Sequence, residues 1–393
     1  MIKHASIFSQ LLTVFSRADF AGLVKECGSD YRSKGFSSWS QFVCMLFCHL
    51  AQAKSLREIC NGLRCCLGKL KHLGILVSPN KSTLSYANSK RPWVLYEKLF
   101  YQTLDRVQTL APSHKKKKSK FRFRNRLYSI DATVIDLCLG LFPWAKFRRT
   151  KGAVKLHMLL DHQGYLPSYA LITEGAVSDI HFARLLDLPP DSIVAMDRAY
   201  NDYEMFAKWT DRKIWFVTRM KSNTVYQVVE ERKTPQKGHI LSDQIIRLTG
   251  THAGKKCPNL LRKIEVWDEE NERDITLLTN HMEFGATTIS AIYKDRWEIE
   301  LFFKALKQNL KIKTFVGTSA NALKIQIWTA LIAILLIKYL QFKAKLNWSL
   351  SNLVALLRLN LFTYRDIWAW LNDPFDTPPE GIQGQQLKLN FPA

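Results

Sequence analysis

The first 110 residues carry apolar side chains at three- and four-residue spacing, the pattern of amphipathic helices. Four segments show it: LLTVFSRADFAGLVKEC, SWSQFVCMLFCHLAQA, SLREICNGLRCCLGKL and RPWVLYEKLFYQTL. Ser55, with Glu58 three residues later, has capping-box spacing and predicts where the third helix begins. We therefore expect residues 1–110 to form an all-helical N-terminal domain.

From residue 127 the pattern changes to short runs rich in β-branched side chains, which predict strands. Residues 127–221 contain three such runs, followed by alternating helix-like and strand-like segments. The three runs are LYSIDATVIDL, AVKLHMLLD and YLPSYALIT, and the alternation is HFARLLDL, SIVAMD, NDYEMFAKWTDR and KIWFVTRM. Residues 222–285 are again strand-like and predict a β-rich insertion. This order predicts an α/β fold with a mixed sheet.

Helical patterns return after residue 285, and we expect residues 286–345 to complete the sheet domain. The stretch YKDRWEIELFFKALKQNLK, residues 293–311, is predicted to form one continuous helix. The apolar run of residues 327–337 is shorter than the roughly 20 residues of a membrane span, which favours a buried core helix and no membrane association. Residues 346–393 are expected to form C-terminal helices and a loose tail.

The charge of the chain favours a polyanionic partner. Lys and Arg number 57 against 34 acids, a formal net charge of +23, which suits nucleic acid or an anionic membrane surface. The linker of residues 111–126, APSHKKKKSKFRFRNR, is dense in cations and fits a phosphate-contacting arm. The basic segment SPNKSTLSYANSKR favours DNA binding by the N-terminal domain, although its features suit any helical bundle.

Cysteine usage and the N-terminus indicate a cytoplasmic protein. The eight cysteines form no C-x-x-C pair and no zinc pattern, so we expect buried reduced thiols. The N-terminal stretch IFSQLLTVFSRADF is interrupted by polar residues and no small-residue cleavage site follows it, which argues against a signal peptide.

Two aspartates stand out in the predicted sheet. Asp131 lies inside an apolar run, where an inward carboxylate costs several kcal/mol unless a cation or proton satisfies it. Asp197 ends the strand SIVAMD. Because Asp is common at the ends of strands, each aspartate alone fits an ordinary structural role as well as a functional one.

The helix predicted at residues 293–311 carries a cationic stripe with a single acid. At 100° per residue, six side chains fall within an arc of about 80°. They are Tyr293, Arg296, Glu300, Lys304, Lys307 and Lys311. A solvated face with i,i+4 ion pairs would explain Glu300 beside Lys304, but not the surplus of cations. A helix that turns this stripe toward a phosphodiester explains both the single acid and the surplus of cations.

Asp131, Asp197 and Glu300 together have the chemistry of a metal-dependent site. Three carboxylates can hold two Mg²⁺ ions roughly 3.5–4 Å apart for an in-line phosphoryl displacement. Hard oxygen ligands with few histidines nearby favour Mg²⁺, or Mn²⁺ as a substitute, over zinc.

The spacing Y-(2)-R-(3)-E-(6)-K of Tyr293, Arg296, Glu300 and Lys307 resembles the third catalytic segment of bacterial insertion-sequence transposases of the DDE superfamily, in the Y-R-E-K subgroup. SIDATVIDL resembles the first-Asp strand of that family, AMDRAYND its second-Asp segment, and FVTRMKSN the strand after it. FSSWSQFVCMLFCHL with SLREI resembles the helical N-terminal domain of one branch. The likeness spans roughly residues 5 to 345.

The resemblance implies an RNase H-like sheet with a β-rich insertion and the cleavage of element ends by water. The freed 3′-hydroxyl then joins target DNA, with a hairpin intermediate in well-studied relatives. Asp131, Asp197 and Glu300 would be the metal ligands, and a homodimer would assemble on DNA. The expected DNA contacts are Tyr293, Arg296 and Lys307, with Lys304, Arg198 and Arg219 as further phosphate contacts. Trp267 is the candidate to hold a flipped base, although a tryptophan packed on a β face is the alternative.

Two other functions are compatible with parts of the sequence. A tyrosine recombinase would use Tyr293 as its nucleophile, and His181 with Arg184 has an H-x-x-R spacing. That chemistry does not explain the strand-borne aspartates. A catalytically inactive DNA-binding derivative is the second alternative, and the presence of all three carboxylates argues against it.

Overall fold

The computed structural model describes residues 5–66, 68–110, 120–148, 151–235, 238–310 and 314–375. Residues 111–119 of the basic linker, Lys311 and the predicted C-terminal tail lie outside the described residues. The chain divides into two compact units. Residues 1–110 and 305–393 form the first unit, and residues 111–304 form the second.

The described residues form fourteen α-helices and ten strands. The helices are α1 Ile7–Leu12, α2 Arg17–Glu26, α3 Ser38–Leu50, α4 Leu56–Arg64, α5 Lys81–Lys90, α6 Val94–Gln108, α7 Asp179–Leu185, α8 Tyr203–Asp211, α9 Ala253–Lys256, α10 Ala286–Asp295, α11 Glu298–Asn309, α12 Ala320–Lys343, α13 Leu350–Asn360 and α14 Ile367–Asn372. The strands are β1 Leu127–Leu137, β2 Lys146–Arg148, β3 Lys151–Asp161, β4 Leu166–Glu174, β5 Ile193–Met196, β6 Trp215–Arg219, β7 Tyr226–Glu231, β8 Ile240–Leu248, β9 Leu261–Asp268 and β10 Arg273–Thr279.

The first unit is helical and is built around α12. This helix is apolar on all sides and is buried along most of its length, with α3, α5, α6 and α13 against it. The ring of Trp328 on α12 lies 5.2 Å from that of Phe100 on α6. By length and composition α12 could cross a membrane, but 83% of its apolar window is buried inside the protein, as in the core helix of a folded domain.

The predicted capping box is confirmed at the start of α4. The Ser55 hydroxyl accepts from the Glu58 amide at 3.1 Å, and the Glu58 carboxylate accepts from the Lys54 amide at 2.8 Å. The bond to Ser55 satisfies a backbone donor that the first turn of a helix leaves without a partner, and the bond from Lys54 holds the residue just before the N-cap.

The second unit contains one mixed sheet. Its strand order is β2-β3-β1-β5-β6-β10-β9-β8-β7, and β4 pairs with β3 on the other side from β1. The neighbours β1, β5 and β6 are parallel, while the other pairs are antiparallel. The strands of residues 222–285 continue the sheet, since β10 pairs with β6. The prediction of a mixed α/β sheet, with helices before and after it, is confirmed.

Strand β5 is buried on both faces, as a central parallel strand must be. Val194 and Met196 pack in a cluster with side chains of α7 and α8, which defines the α7–α8 face. Ile193 and Ala195 pack in a second cluster with side chains of α10, which defines the α10 face. The two-residue period of the strand therefore assigns each side chain to one of two helical layers.

A buried ion pair joins the extended part of the sheet to the loop before α10. The guanidinium of Arg262 on β9 contacts both carboxylate oxygens of Asp243 on β8, at 2.8 and 2.7 Å. The same group donates to the Phe284 carbonyl at 2.5 Å. Both charged side chains are almost fully buried. Because a buried charge needs a partner, this pair links the two strands to the approach to α10.

Replacing Arg262 with methionine is expected to lower the free energy of unfolding by about 3–5 kcal/mol, because Asp243 is left as a buried unpaired charge. The double variant Arg262→Met, Asp243→Leu should recover most of this loss, since neither charge remains. Urea denaturation of the full chain measures both. An equal loss in the single and double variants would show that the ion pair is not the source.

Candidate active site

The segment of residues 293–311 is not one continuous helix, so that prediction is wrong. Helix α10 ends at Asp295 and α11 begins at Glu298. Between them the backbone tightens to three-residue hydrogen bonds, from the Arg296 amide to the Tyr293 carbonyl and from the Glu300 amide to the Trp297 carbonyl. Such a tight turn changes the direction of the chain within one turn of helix.

The sheet register places Asp131 and Asp197 side by side. On the parallel neighbours β1 and β5, Ile130 is opposite Met196. The next residues on the two chains are Asp131 and Asp197. Adjacent strands lie about 4.8 Å apart, so the two aspartates leave the sheet as lateral neighbours.

Both aspartates belong to the α10 face. Leu127 shares the strand parity of Asp131, and Ile193 shares that of Asp197. Leu127 and Ile193 both pack in the cluster of the α10 face. The alternation of the strands therefore directs both carboxylates to the side where α10 and its following turn lie.

Arg296 connects Asp131 to Glu300. Its guanidinium donates to the Glu300 carboxylate at 2.8 Å and lies 3.6 Å from the Asp131 carboxylate. The Arg296 side chain is only 10% exposed. The turn between α10 and α11 thus brings the third predicted carboxylate to the first through a buried cation.

The pKa of Asp131 is raised mainly by burial and in smaller part by the neighbouring acids. Burial, with smaller contributions from the nearby Glu300 and Asp197, brings it to about 6, while the Ala132 amide and Arg296 act in the opposite direction. The influence of both other carboxylates on Asp131 shows that all three occupy one electrostatic neighbourhood.

Tyr293 and Arg219 border the same neighbourhood. The Arg296 guanidinium lies 5.7 Å from the centre of the Tyr293 ring. Burial raises the pKa of Tyr293. The nearby Arg296 and Arg219 lower it, and Asp197 raises it. The register explains Arg219, because Ala195 of β5 is opposite Val217 of β6, two residues before it.

Two buried polar atoms near the carboxylates lack hydrogen-bond partners among the described residues: the Arg296 Nε, and the hydroxyl of Tyr200, whose ring packs in the cluster of the α7–α8 face. Burial raises the pKa of Tyr200, and Asp131, Asp179 and Asp197 add to the shift. Tyr200 is not among the predicted site residues, although it lies in the segment AMDRAYND. Buried unpaired polar groups are costly and are characteristic of sites that bind a polar ligand.

The remaining predicted site residues differ in exposure and in their place in the fold. Arg198 follows Asp197 directly and is exposed. Lys304 is exposed on α11, and Lys307 is half-buried further along the same helix. Trp267 is 38% exposed on β9, three strands from β5 and so about 14 Å away across the sheet. The structure brings Asp131, Asp197, Glu300, Tyr293, Arg296 and Arg219 together, but not Trp267.

The described end of the basic linker is fixed to the α10 face by its aromatic residues. The rings of Phe121 and Phe123 stack at 5.0 Å, and Phe123 stacks on Phe284 at 4.9 Å. Arg122 and Arg124 alternate with them and are exposed. The alternation holds these cations outward, available to a polyanion.

The carboxylates have the chemistry of a divalent-cation site without a preformed cage. Within the described ranges, no three His, Cys, Asp or Glu side chains converge closely enough to hold a metal ion. The oxygen donors of Asp131, Asp197 and Glu300 suit a hard cation such as Mg²⁺. Arg296 supplies the positive charge between two of them in this structure. The residues therefore fit the predicted metal by donor type and charge.

The structure does not assemble a tyrosine-recombinase site. Phe182 and Ala183, between His181 and Arg184 on α7, pack in the cluster of the α7–α8 face. Tyr293 packs against the cluster of the α10 face. The H-x-x-R pair and Tyr293 therefore belong to opposite helical layers of the sheet, which argues against a shared site.

Replacing Asp131 with asparagine is expected to stabilise the metal-free protein near neutral pH. Folding raises this pKa from near 4 to about 6, so ionised Asp131 costs stability as pH rises through that window. The gain should reach up to about 3 kcal/mol at about pH 7.5 and vanish near pH 4. Urea denaturation with a chelator measures it. Asp136→Asn, an exposed position on β1, is the control, and a gain independent of pH would contradict the assignment.

Comparison with known proteins identifies the family. Residues 122–336 match the family model described as a transposase DDE domain, and residues 3–76 match a domain of unknown function, DUF4372. A Sinorhizobium fredii protein named as a candidate transposase, y4zB, is 30% identical over 297 residues, which are 75% of this chain and 80% of its own length. A Geobacillus stearothermophilus protein, named as the probable transposase of insertion sequence element IS5377, is 28% identical over 64% of this chain and 67% of its own length.

A Synechocystis protein named as a candidate transposase of insertion sequence element IS4SA is 23% identical over 66% of this chain and 71% of its own length. Among solved structures, a piggyBac transposase synaptic complex with hairpin DNA matches with a TM-score of 0.48 and 9% identity, covering 96% of this chain and 83% of that one. A likeness at that level supports no argument. The DDE model, by contrast, spans the mixed sheet together with α10 and α11, and the chain belongs to the DDE transposases of bacterial insertion sequences.

Proposed function

We propose that this transposase binds the terminal inverted repeats of its insertion sequence, cleaves the phosphodiester bonds at the ends, and joins each freed 3′-hydroxyl to target DNA by cut-and-paste. Asp131, Asp197 and Glu300 are the proposed catalytic carboxylates. The observation that supports this most directly is the buried Arg296, which donates to Glu300 at 2.8 Å and lies 3.6 Å from Asp131.

Members of the family generally use divalent metal ions, and we propose that the three carboxylates hold two Mg²⁺, with Mn²⁺ as a possible substitute. When bound, such ions supply charge neutralisation at the phosphate and an activated water. The chain itself supplies an acidic cluster and a buried guanidinium beside it. A phosphate entering the cluster would bring the polar oxygens that the Tyr200 hydroxyl and Arg296 Nε lack.

The proposed DNA surface extends outward from the carboxylates. Tyr293 and Arg296 lie at the carboxylates, and Arg219 borders them from β6. Further cations lie along α11, beside Asp197 and on the linker end. They are Lys304, Lys307, Arg198, Arg122 and Arg124. Cations arranged this way would contact phosphates on both sides of the cleaved bond and give salt-dependent binding.

Trp267 remains a proposed base contact. Its partial exposure on β9 leaves part of the ring able to stack on a base, and its distance across the sheet from β5 would place that base away from the scissile phosphate. Packing of the ring on the sheet surface is the alternative role.

We further propose that residues 1–110 bind the element ends and that residues 127–221 with 286–345 carry catalysis. Residues 222–285 would act as the β-rich insertion, and residues 111–126 as the basic linker. Pairing of two ends requires two active sites, so we propose a homodimer on DNA. The protein would act in the bacterial cytoplasm, at the nucleoid. The Y-R-E-K subgroup is also a prediction, carried by the four spaced residues.

Glu300→Gln is expected to lower the rate of end cleavage by about 10³-fold or more, because it removes a carboxylate that the metal-dependent step requires. The measurement is single-turnover cleavage of a duplex carrying the element's own terminal repeats. Glu298→Gln, a neighbouring acid on the same helix, is the matched control and should stay within about twofold of the unmodified chain.

Three results would count against this function. Equal cleavage by the unmodified chain and Glu300→Gln would remove Glu300 from catalysis. Cleavage that persists in excess EDTA would exclude metal-dependent chemistry. DNA binding without cleavage in Mg²⁺ or Mn²⁺ would identify an inactive DNA-binding derivative.

Arg219→Gln is expected to weaken binding of the terminal-repeat duplex and to reduce the slope of log K against log salt by about 1, the contribution of one phosphate contact. Gel-shift titrations at several salt concentrations measure this slope. Arg212→Gln is the control, because Arg212 pairs with Asp187 at 2.5 Å away from the carboxylates. An unchanged slope in Arg219→Gln would remove it from the DNA surface.

A further inference from the structure

A chain of buried hydrogen bonds joins β1 to the end of α10. The Ser129 hydroxyl on β1 lies 2.7 Å from His162 Nε2, and His162 Nδ1 lies 2.5 Å from the Asp295 carboxylate. The other carboxylate oxygen of Asp295 pairs with Lys120. Ser129 is fully buried and Asp295 almost fully so. We call these three residues the Ser129–His162–Asp295 chain.

The direction of the hydrogen bond between His162 and Asp295 follows from the charge of Asp295. Burial acts to raise the pKa of Asp295, but hydrogen bonds from His162 and Lys120 hold it below its usual range. The ionised carboxylate can only accept, so His162 Nδ1 must donate. Nε2 accepts from the Ser129 hydroxyl when the imidazole is neutral, and donates to it when the imidazole is protonated. Both ring nitrogens of His162 are therefore hydrogen-bonded in either state, and the chain stays connected.

Both ends of the chain lie next to the proposed catalytic groups. Ser129 precedes Asp131 by two residues on β1, so the two side chains share the α10 face. Asp295 directly precedes Arg296, in the turn between α10 and α11. The hydrogen-bond order of serine, histidine and aspartate is also that of a hydrolase triad. Full burial of Ser129 denies it a substrate, which excludes nucleophilic catalysis.

We propose that the Ser129–His162–Asp295 chain is a positioning device that fixes the turn after α10 on β1 and thereby sets the guanidinium of Arg296 between Asp131 and Glu300. The backbone hydrogen bonds of the turn join residues three apart, and such bonds have poorer geometry than the four-residue bonds of an α-helix. A rigid tie at Asp295 limits where the next side chain can lie. The catalytic meaning of this device rests on the proposed function, whereas the mechanical tie does not.

Hydrogen–deuterium exchange tests the tie without requiring activity. In Ser129→Ala, the segment of residues 293–301 should exchange about tenfold faster, the factor that one ordinary hydrogen bond represents. Thr279→Val is the matched control, because Thr279 is a buried strand hydroxyl that bonds the Phe216 carbonyl at 2.5 Å. The control should leave residues 293–301 within about twofold of the unmodified chain. Unchanged exchange in Ser129→Ala, or equal acceleration in both variants, would overturn the proposal.

A second variant tests whether the chain acts as a unit. The side-chain amide of His162→Asn can still donate to Asp295 but cannot reach Ser129. Combined with Ser129→Ala, it should accelerate exchange no further than either single change, since both break the same bond. Multiplied effects in the double variant would show that the two residues act independently, and would overturn the proposal.

Cleavage kinetics separate this inference from the proposed function. Ser129→Ala should lower the single-turnover cleavage rate about tenfold, while the Kd for the terminal-repeat duplex stays within about twofold. An unchanged cleavage rate despite faster exchange would overturn the positioning role while leaving the transposase reaction intact. Equal cleavage by the unmodified chain and Glu300→Gln would instead refute the proposed function, and the exchange data would still report on the tie.

Discussion

The buried guanidinium of Arg296 is the interaction on which the arrangement of the site depends. Three carboxylates gathered on one face of a sheet repel one another and lose hydration, and Asp131 shows this in its raised pKa. Arg296 offsets part of that cost by contacting two of the three acids at once. Without a cation at this point, the acidic cluster would be protonated or would separate.

The sheet determines the face on which Asp131 and Asp197 project, and so the position at which Arg296 contacts an acid. Strand β5 is buried on both faces, so its register determines which of the two helical layers each of its side chains contacts. Asp131 and Asp197 follow the parity of core residues and therefore project toward α10. Glu300 lies on α11, which follows α10 after a two-residue turn, and Ile289 and Ile292 of α10 pack on that same face. Core packing and the acidic cluster thus have a single geometric cause.

The sequence predicted much of this because its signals are local. Strand runs, the capping box at Ser55 and the spacing of Tyr293, Arg296 and Glu300 all report on neighbouring residues. The continuous helix expected at residues 293–311 failed because its apolar pattern cannot show a turn of two residues at Arg296. His162 carried no signal, since its partners Ser129 and Asp295 are 33 and 133 residues away.

By itself the sequence determined the helical and strand segments, the excess of positive charge and the identity of the candidate carboxylates, because residue type and periodicity are properties of short stretches. Only the tertiary structure decided that Asp131 and Asp197 are lateral neighbours, that Arg296 lies between Asp131 and Glu300, and that a buried hydrogen-bond chain holds the turn beside it. Strand register and the docking of α10 join residues far apart along the chain. The strand register and the position of α10 depend on which faces of the sheet and helix are buried against each other.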